Sequence, residues 1–200
     1  MTRIGATLLC AAMLATSTAA IHAQDSTARK APSEFAQSGP IGGTFILVDQ
    51  NGKTVTDETY QGSFLLIAFG YTNCPDICPT TLFNMERALD FLGADAAKVR
   101  PLFISVDPER DTPAHLKEYM SSFGPTFVGL TGPAAHIASV AAKYGIKYEK
   151  VANSTGYSVD HTAAIFLMGP DGAFIERFPH DLDPAELAAR VRRHLHANGG

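Results

Sequence analysis

Apolar positions along the chain follow two rhythms. Ser63 to Phe69, SFLLIAF, and Val99 to Val106, VRPLFISV, are almost continuously apolar. Short runs of that kind predict strands buried on both faces. Between them Leu82, Met85, Leu89 and Leu92 recur at helical spacing behind Pro79. That predicts a helix with proline in its first turn, where the missing N–H costs nothing. Thr112-Pro113 opens a second helix as cap and first residue, with Leu116, Tyr119, Met120 and Phe123 on its apolar side. Phe127 to Leu130 reads as a short strand. Pro133 to Tyr144 reads as a helix with Ile137, Val140, Ala141 and Tyr144 inward, stopped by Gly145. Tyr148 to Val151 reads as a strand.

The two ends of this pattern carry hairpin and cap signals. Gly43 to Asp49 and Lys53 to Thr56 flank Asn51-Gly52, a strong turn pair. Ala163 to Met168 and Phe174 to Phe178 flank Pro170-Asp171-Gly172 as a second hairpin. Asp183-Pro184-Ala185-Glu186 is a capping box for a last helix with Leu187, Val191 and Leu195 on one stripe. Strand and helix alternate, then a hairpin and a final helix follow. This is the thioredoxin-like order: an α/β fold with a central mixed sheet, flanking helices and an N-terminal β-hairpin. Its strand–helix–strand units predict parallel strands with right-handed crossovers. The expected domain spans residues 41–197.

The segment before it reads differently. Met1-Thr2-Arg3 is a short positive start, Ile4 to Ala15 is apolar, and small residues follow to Ala23. That is the pattern of a secretory signal, cleaved after Ala20 or Ala23. The alternative is an uncleaved anchor that tethers the domain to the inner membrane. Residues 24–40 are polar and small, and read as a flexible leader. Export to the periplasm would remove Cys10 with the signal and leave Cys74 and Cys78 in an oxidising compartment. Lys and Arg number 16 against 20 Asp and Glu. No basic stripe is available for nucleic acid.

Cys74 and Cys78 lie in GYTNCPDICP, just past the first buried run. In open α/β sheets ligands collect outside the carboxyl ends of the strands. Both this loop and Asp107 to Asp111, DPERD, leave such ends. A disulfide closing so short a gap would stabilise little, which argues against a structural staple. Cys-x-x-x-Cys places the sulfurs about one helical turn apart, able to face a common centre or to close a disulfide. Cys78, at the helix start, feels the positive end of the helix dipole, which favours its thiolate. Two thiolates suit Cu(I), a soft ion of low coordination number. A structural zinc site would need four ligands, and no second cysteine pair supplies them. The third-ligand candidates are His115, His136, His161, His180, His194 and His196. His161 stands just before an apolar strand, where a thioredoxin-like oxidoreductase places its cis-proline loop. It is a ligand candidate, with a solvent-facing loop histidine as the plain alternative. Asp107 and Asp111 are carboxylate donors to Cu(II), supports that orient His161, contacts for a partner, or local turn-formers. Glu109 and Asp76 read as plain loop residues; Asp160 either hydrogen-bonds the ring of His161 or is a simple loop carboxylate. Met85 and Met168 read as core.

Three blocks, GYTNCPDICPTTL, SVDPERDTP and VDHTAAIFLMGPDG, together resemble the signatures of the Sco (SenC-like) family of copper chaperones. The separation of 83 residues between Cys78 and His161 fits as well. The resemblance implies a thioredoxin-like domain that binds copper, Cu(I) or Cu(II), through Cys74, Cys78 and His161. It implies a role in assembling the CuA centre of cytochrome c oxidase subunit II, with that subunit as partner. A periplasmic thiol reductant and another copper chaperone are further expected partners. Many family members keep a membrane anchor, whereas this N-terminus looks cleavable. Two other readings use the same cysteines: a thiol–disulfide oxidoreductase that reduces partner cysteines in CuA maturation, and a copper or redox sensor.

Overall fold

In the computed structural model the described residues, 40–154 and 156–197, form one seven-stranded mixed sheet, a separate two-stranded sheet and four α-helices. They belong to a unit running from Phe35 to Gly200. The expected signal segment, residues 1–23, and all of the expected leader except Pro40 lie outside the described residues.

The N-terminal hairpin pairs β1 (Ile46–Asp49) with β2 (Thr54–Thr56). It turns at Asn51-Gly52, where Gly52 has φ of 80°, a left-handed conformation that glycine adopts without a Cβ clash. The first apolar run is β3 (Phe64–Gly70), buried at every residue. Helix α1 (Ile77–Leu92) follows, then β4 (Val99–Ser105), α2 (Pro113–Met120) and β5 (Val128–Thr131). Next come α3 (Ala134–Lys143), β6 (Tyr148–Asn153) and β7 (Gly156–His161). The chain ends with β8 (Ala164–Met168), β9 (Phe174–Pro179) and α4 (Pro184–Ala197).

The large sheet has the order β2-β1-β5-β4-β3-β8-β9. Strands β3, β4 and β5 run parallel, while β1 and β8 join them antiparallel. This is the thioredoxin-like fold expected from the pattern. Helix α1 packs on α4 and β3, α2 on β5, and α3 on β1. Ile67, Leu82, Ile104, Ile165 and Leu187 are sealed from solvent in the core. Burial of each such side chain stabilises the fold by about 1.5–3 kcal/mol. Thr112 caps α2 by accepting the His115 amide. Asp183 caps α4 by accepting the amides of Ala185 and Glu186.

One difference from the sequence reading bears on the site. The β6–β7 hairpin is a ladder of its own, with Tyr148 opposite His161. The sequence suggested only a strand at 148–151 and put His161 in a loop; it is the last residue of β7. Helix α1 begins at Ile77 with Asp76 at its cap position, which puts Pro79 in the first turn as the sequence indicated. Cys78 is therefore inside the first turn.

Register sets the geometry of the site loops. Gly70 ends β3 directly beside Ser105, the end of β4. The Val106 amide donates to the Gly70 carbonyl at 2.8 Å. The cysteine loop and the DPERD loop thus leave the sheet side by side.

Candidate metal centre

Cys74 and Cys78 are both free thiols, on the loop and in the first turn of α1 respectively. Cys78 is only 3% exposed, whereas Cys74 is half-buried at the surface. Helical winding turns the Cys78 amide toward the Cys74 sulfur, at 3.4 Å. A Cβ on Gly70 would come within 2.8 Å of the Cys78 Sγ and of the Phe103 ring. Glycine at the end of β3 is what lets that sulfur settle against the sheet, a requirement that the sequence reading missed.

His161 arrives from β7. Its Nε2 lies 3.4 Å from the Cys78 Sγ, and the ring also hydrogen-bonds the Cys74 sulfur. Its Nδ1 lies 3.1 Å from the Thr162 carbonyl. A carbonyl only accepts, so Nδ1 carries the proton. Nε2 is therefore the nitrogen facing the sulfurs, a donor when the ring is protonated and a lone pair when it is not. The edge of the ring packs on Tyr71, centroids 6.1 Å apart.

The two sulfurs ionise very differently. The Cys78 thiol donates to the Cys74 sulfur, and with donation from the protonated His161 ring and from the Asp76 and Cys78 backbone this lowers Cys74 to about 3. The same hydrogen bond, together with burial, pushes the Cys78 thiol up. This corrects the expectation that the helix start favours a Cys78 thiolate. The dipole is there, but Cys78 is desolvated and acts as the proton donor, so the more exposed Cys74 holds the charge.

Among the described residues no three His, Cys, Asp or Glu side chains converge as a ready-made metal cage. These three are closed on one another by hydrogen bonds. The fit is nevertheless close. Metal–sulfur and metal–nitrogen bonds of about 2.0–2.3 Å span roughly 3.5–3.8 Å between donors at tetrahedral to trigonal angles. The observed 3.4 Å between Cys78 Sγ and His161 Nε2 needs only a small opening. A backbone carbonyl holding the far ring nitrogen is the usual support of a metal-binding histidine. Cys74 and His161 border a cleft of about 490 Å³ lined by Tyr71, Pro75, Ile77 and Val159, while Cys78 is buried. Asp76 and Asp160 stand at its rim. A second hollow, near 380 Å³, lies beside β1 and α3. Its His136 and Lys143 are bonded to the Ile46 and Thr44 carbonyls.

The remaining candidates are placed elsewhere. His115 bonds the Thr72 hydroxyl, His194 the Glu176 carboxylate and His196 the Asp95 carboxylate. His180 lies past the end of β9, outside the lining of the cleft. Asp107 and Asp111 are fully buried and engaged. Asp107 accepts from Arg110 and Tyr157, and Asp111 from Thr72 and Ser105. They serve as loop anchors, and their partners are mainly side chains rather than local backbone. Glu109 pairs with Lys150. Met85 and Met168 are core, as the pattern indicated.

Comparison with known proteins agrees with this arrangement. The SCO1/SenC family model matches residues 33–196. An SCO2-like protein of Rickettsia conorii is 39% identical over 155 residues, 76% of each chain. The structure of Bradyrhizobium japonicum ScoI with copper bound shares 51% identity, with a TM-score of 0.72 over 78% of this chain and 99% of that one. BsSco, described as a member of the Sco family of cytochrome c oxidase assembly proteins with a disulfide switch, shares 28% identity. Its TM-score is 0.62, over 78% of this chain and 95% of that one. With its cysteine pair, its facing histidine and a family match across nearly the whole described domain, this chain belongs to the SCO1/SenC family.

Proposed function

We propose that this protein is a copper-binding metallochaperone that delivers copper to the CuA site of cytochrome c oxidase subunit II. Cys74 and Cys78 bind the ion as thiolates, and His161 completes a three-coordinate site through Nε2. The observation that carries this reading is the 3.4 Å approach of Nε2 to the Cys78 sulfur, with Nδ1 already held by a carbonyl. Soft sulfur donors select Cu(I). Three-coordination leaves room for an acceptor's cysteine or histidine to enter, so transfer proceeds by ligand exchange. Cys78 must lose its proton as the metal enters, and uptake releases that proton.

The N-terminal segment is read as an export signal, which places the domain in the periplasm. Among the described residues no helix is long and apolar enough to cross a membrane. An oxidising compartment would close the dithiol to a disulfide unable to take up Cu(I) in this way. A dedicated thiol reductant is therefore part of the proposal.

Anaerobic Cu(I) titration of the reduced protein tests it, beside Cys74→Ala, Cys78→Ala and His161→Ala. The expected result is one copper per chain, lost or strongly weakened in each variant, and absent from the disulfide form until it is reduced. Stoichiometric binding by the disulfide form would contradict it.

One observation favours a second reading. A low-pKa, half-exposed Cys74 beside a buried Cys78 is also the arrangement of a dithiol reductase, with Cys74 attacking a partner disulfide and Cys78 resolving the mixed disulfide. His161→Ala separates the two, because it cripples metal binding but leaves disulfide turnover largely intact.

A further inference from the structure

The DPERD loop touches both halves of the site. Toward the cysteines, Asp111 accepts the Thr72 amide at 3.0 Å and the Thr72 hydroxyl at 2.6 Å. Toward the hairpin, Asp107 accepts the Tyr157 hydroxyl at 2.8 Å and Arg110 Nε at 2.5 Å. Arg110 Nη1 donates to the Tyr157 carbonyl at 2.9 Å, and its guanidinium lies 3.8 Å over the Tyr157 ring.

Tyr157 stands on β7, the strand that ends in His161. Strand residues alternate in facing, so Tyr157, Val159 and His161 share one face. Val159, 3% exposed, marks it as the face turned to the body. The β6–β7 ladder is not hydrogen-bonded into the large sheet, and a two-stranded hairpin is marginal by itself. Its placement over the cysteines therefore depends on side-chain ties.

We propose that Asp107, Arg110 and Tyr157 form a latch of positioning residues that holds the β6–β7 hairpin so that His161 stands over Cys74 and Cys78. This rests on the copper-binding reading above. The latch orders the hairpin before the ion arrives, so the imidazole donates without a further ordering cost. It tunes the grip on the cation without touching it. Two features make it specific: the buried Asp107 carboxylate has its charge met by Arg110, and the planar guanidinium both stacks on and hydrogen-bonds Tyr157.

The test is a double-mutant cycle on the full, reduced chain. Cu(I) affinity is measured anaerobically by competition for wild type, Tyr157→Phe, His161→Ala and the double variant. Tyr157→Phe keeps the ring and removes only the hydroxyl. With His161 present it is expected to weaken binding roughly 3- to 10-fold, the scale of one charge-assisted hydrogen bond partly transmitted. In the His161→Ala background it should change nothing. Arg110→Lys, which keeps the charge and loses the Nη1 bond, should behave the same way. Equal weakening in both backgrounds, or none in either, overturns the latch.

Amide hydrogen exchange of the metal-free protein is a second, independent arm. Tyr157→Phe should speed exchange over Gly156–His161 and leave β3 and β4 unchanged; unchanged hairpin exchange also overturns the latch. If His161→Ala alone leaves copper affinity intact, the metal-site reading fails, and the exchange arm still decides on the latch.

Discussion

Cys74 and Cys78 have the same chemistry and opposite ionisation. Cys74 collects hydrogen bonds from the Cys78 thiol, His161 and backbone, and its folded value near 3 lies far below its ordinary value of 9.0. A depressed value means that the thiolate persists down to about pH 3. Its stabilising contribution is complete only above the ordinary thiol range and is lost as pH falls through 3. Iodoacetamide labelling of the reduced, metal-free protein checks this by peptide mass spectrometry. Cys74 should label at pH 5 almost as fast as at pH 8, while buried Cys78 stays unlabelled. A Cys74 rate falling about tenfold per pH unit below 8, as for an ordinary thiol, would contradict it. That Cys74, Cys78 and His161 would meet was legible in the sequence, because the cysteine spacing, the prolines and the VDHT block are local patterns. Which sulfur holds the charge was not, because burial and the Cys78–Cys74 hydrogen bond exist only in the fold.

At the scale of elements, the strongly periodic segments were read correctly. β3 and β4 are apolar without interruption, and the helices carry stripes and caps. Asp183 shows that a cap can be separated from the site. Asp183→Ala should remove the carboxylate oxygen that accepts two amides at the start of α4, costing about 1 kcal/mol and lowering Tm by about 2–4 °C. Cu(I) affinity should not move, and an unchanged Tm would show that the cap contributes nothing. The hairpin at β6–β7 was half missed for a physical reason. GYSVDH offers only Tyr157 and Val159 as apolar signals, and β6 is exposed along nearly its whole length. It is held by side-chain ties to the DPERD loop, which no periodicity reports. Gly70 was missed for a similar reason. A glycine ending an apolar run reads as a strand stop, and its true neighbour, the Cys78 sulfur, lies beyond the next loop.

Across the whole molecule, the large sheet and the separate β6–β7 hairpin bring together side chains that are remote in sequence. β3 delivers the cysteine loop, β4 delivers the loop that anchors it, and β7 delivers an imidazole 83 residues beyond Cys78. The acidic balance of 20 Asp and Glu against 16 Lys and Arg offers no general electrostatic grip on nucleic acid. What the molecule presents is a small cleft bordered by the Cys74 sulfur and the His161 ring, with the buried Cys78 sulfur 3.4 Å from His161 Nε2. X-ray absorption of the Cu(I)-loaded, reduced protein tests that claim most directly. The copper shell should fit two sulfurs and one nitrogen, and His161→Ala should remove the nitrogen and leave the sulfurs. A shell that is the same with and without His161 would contradict the account.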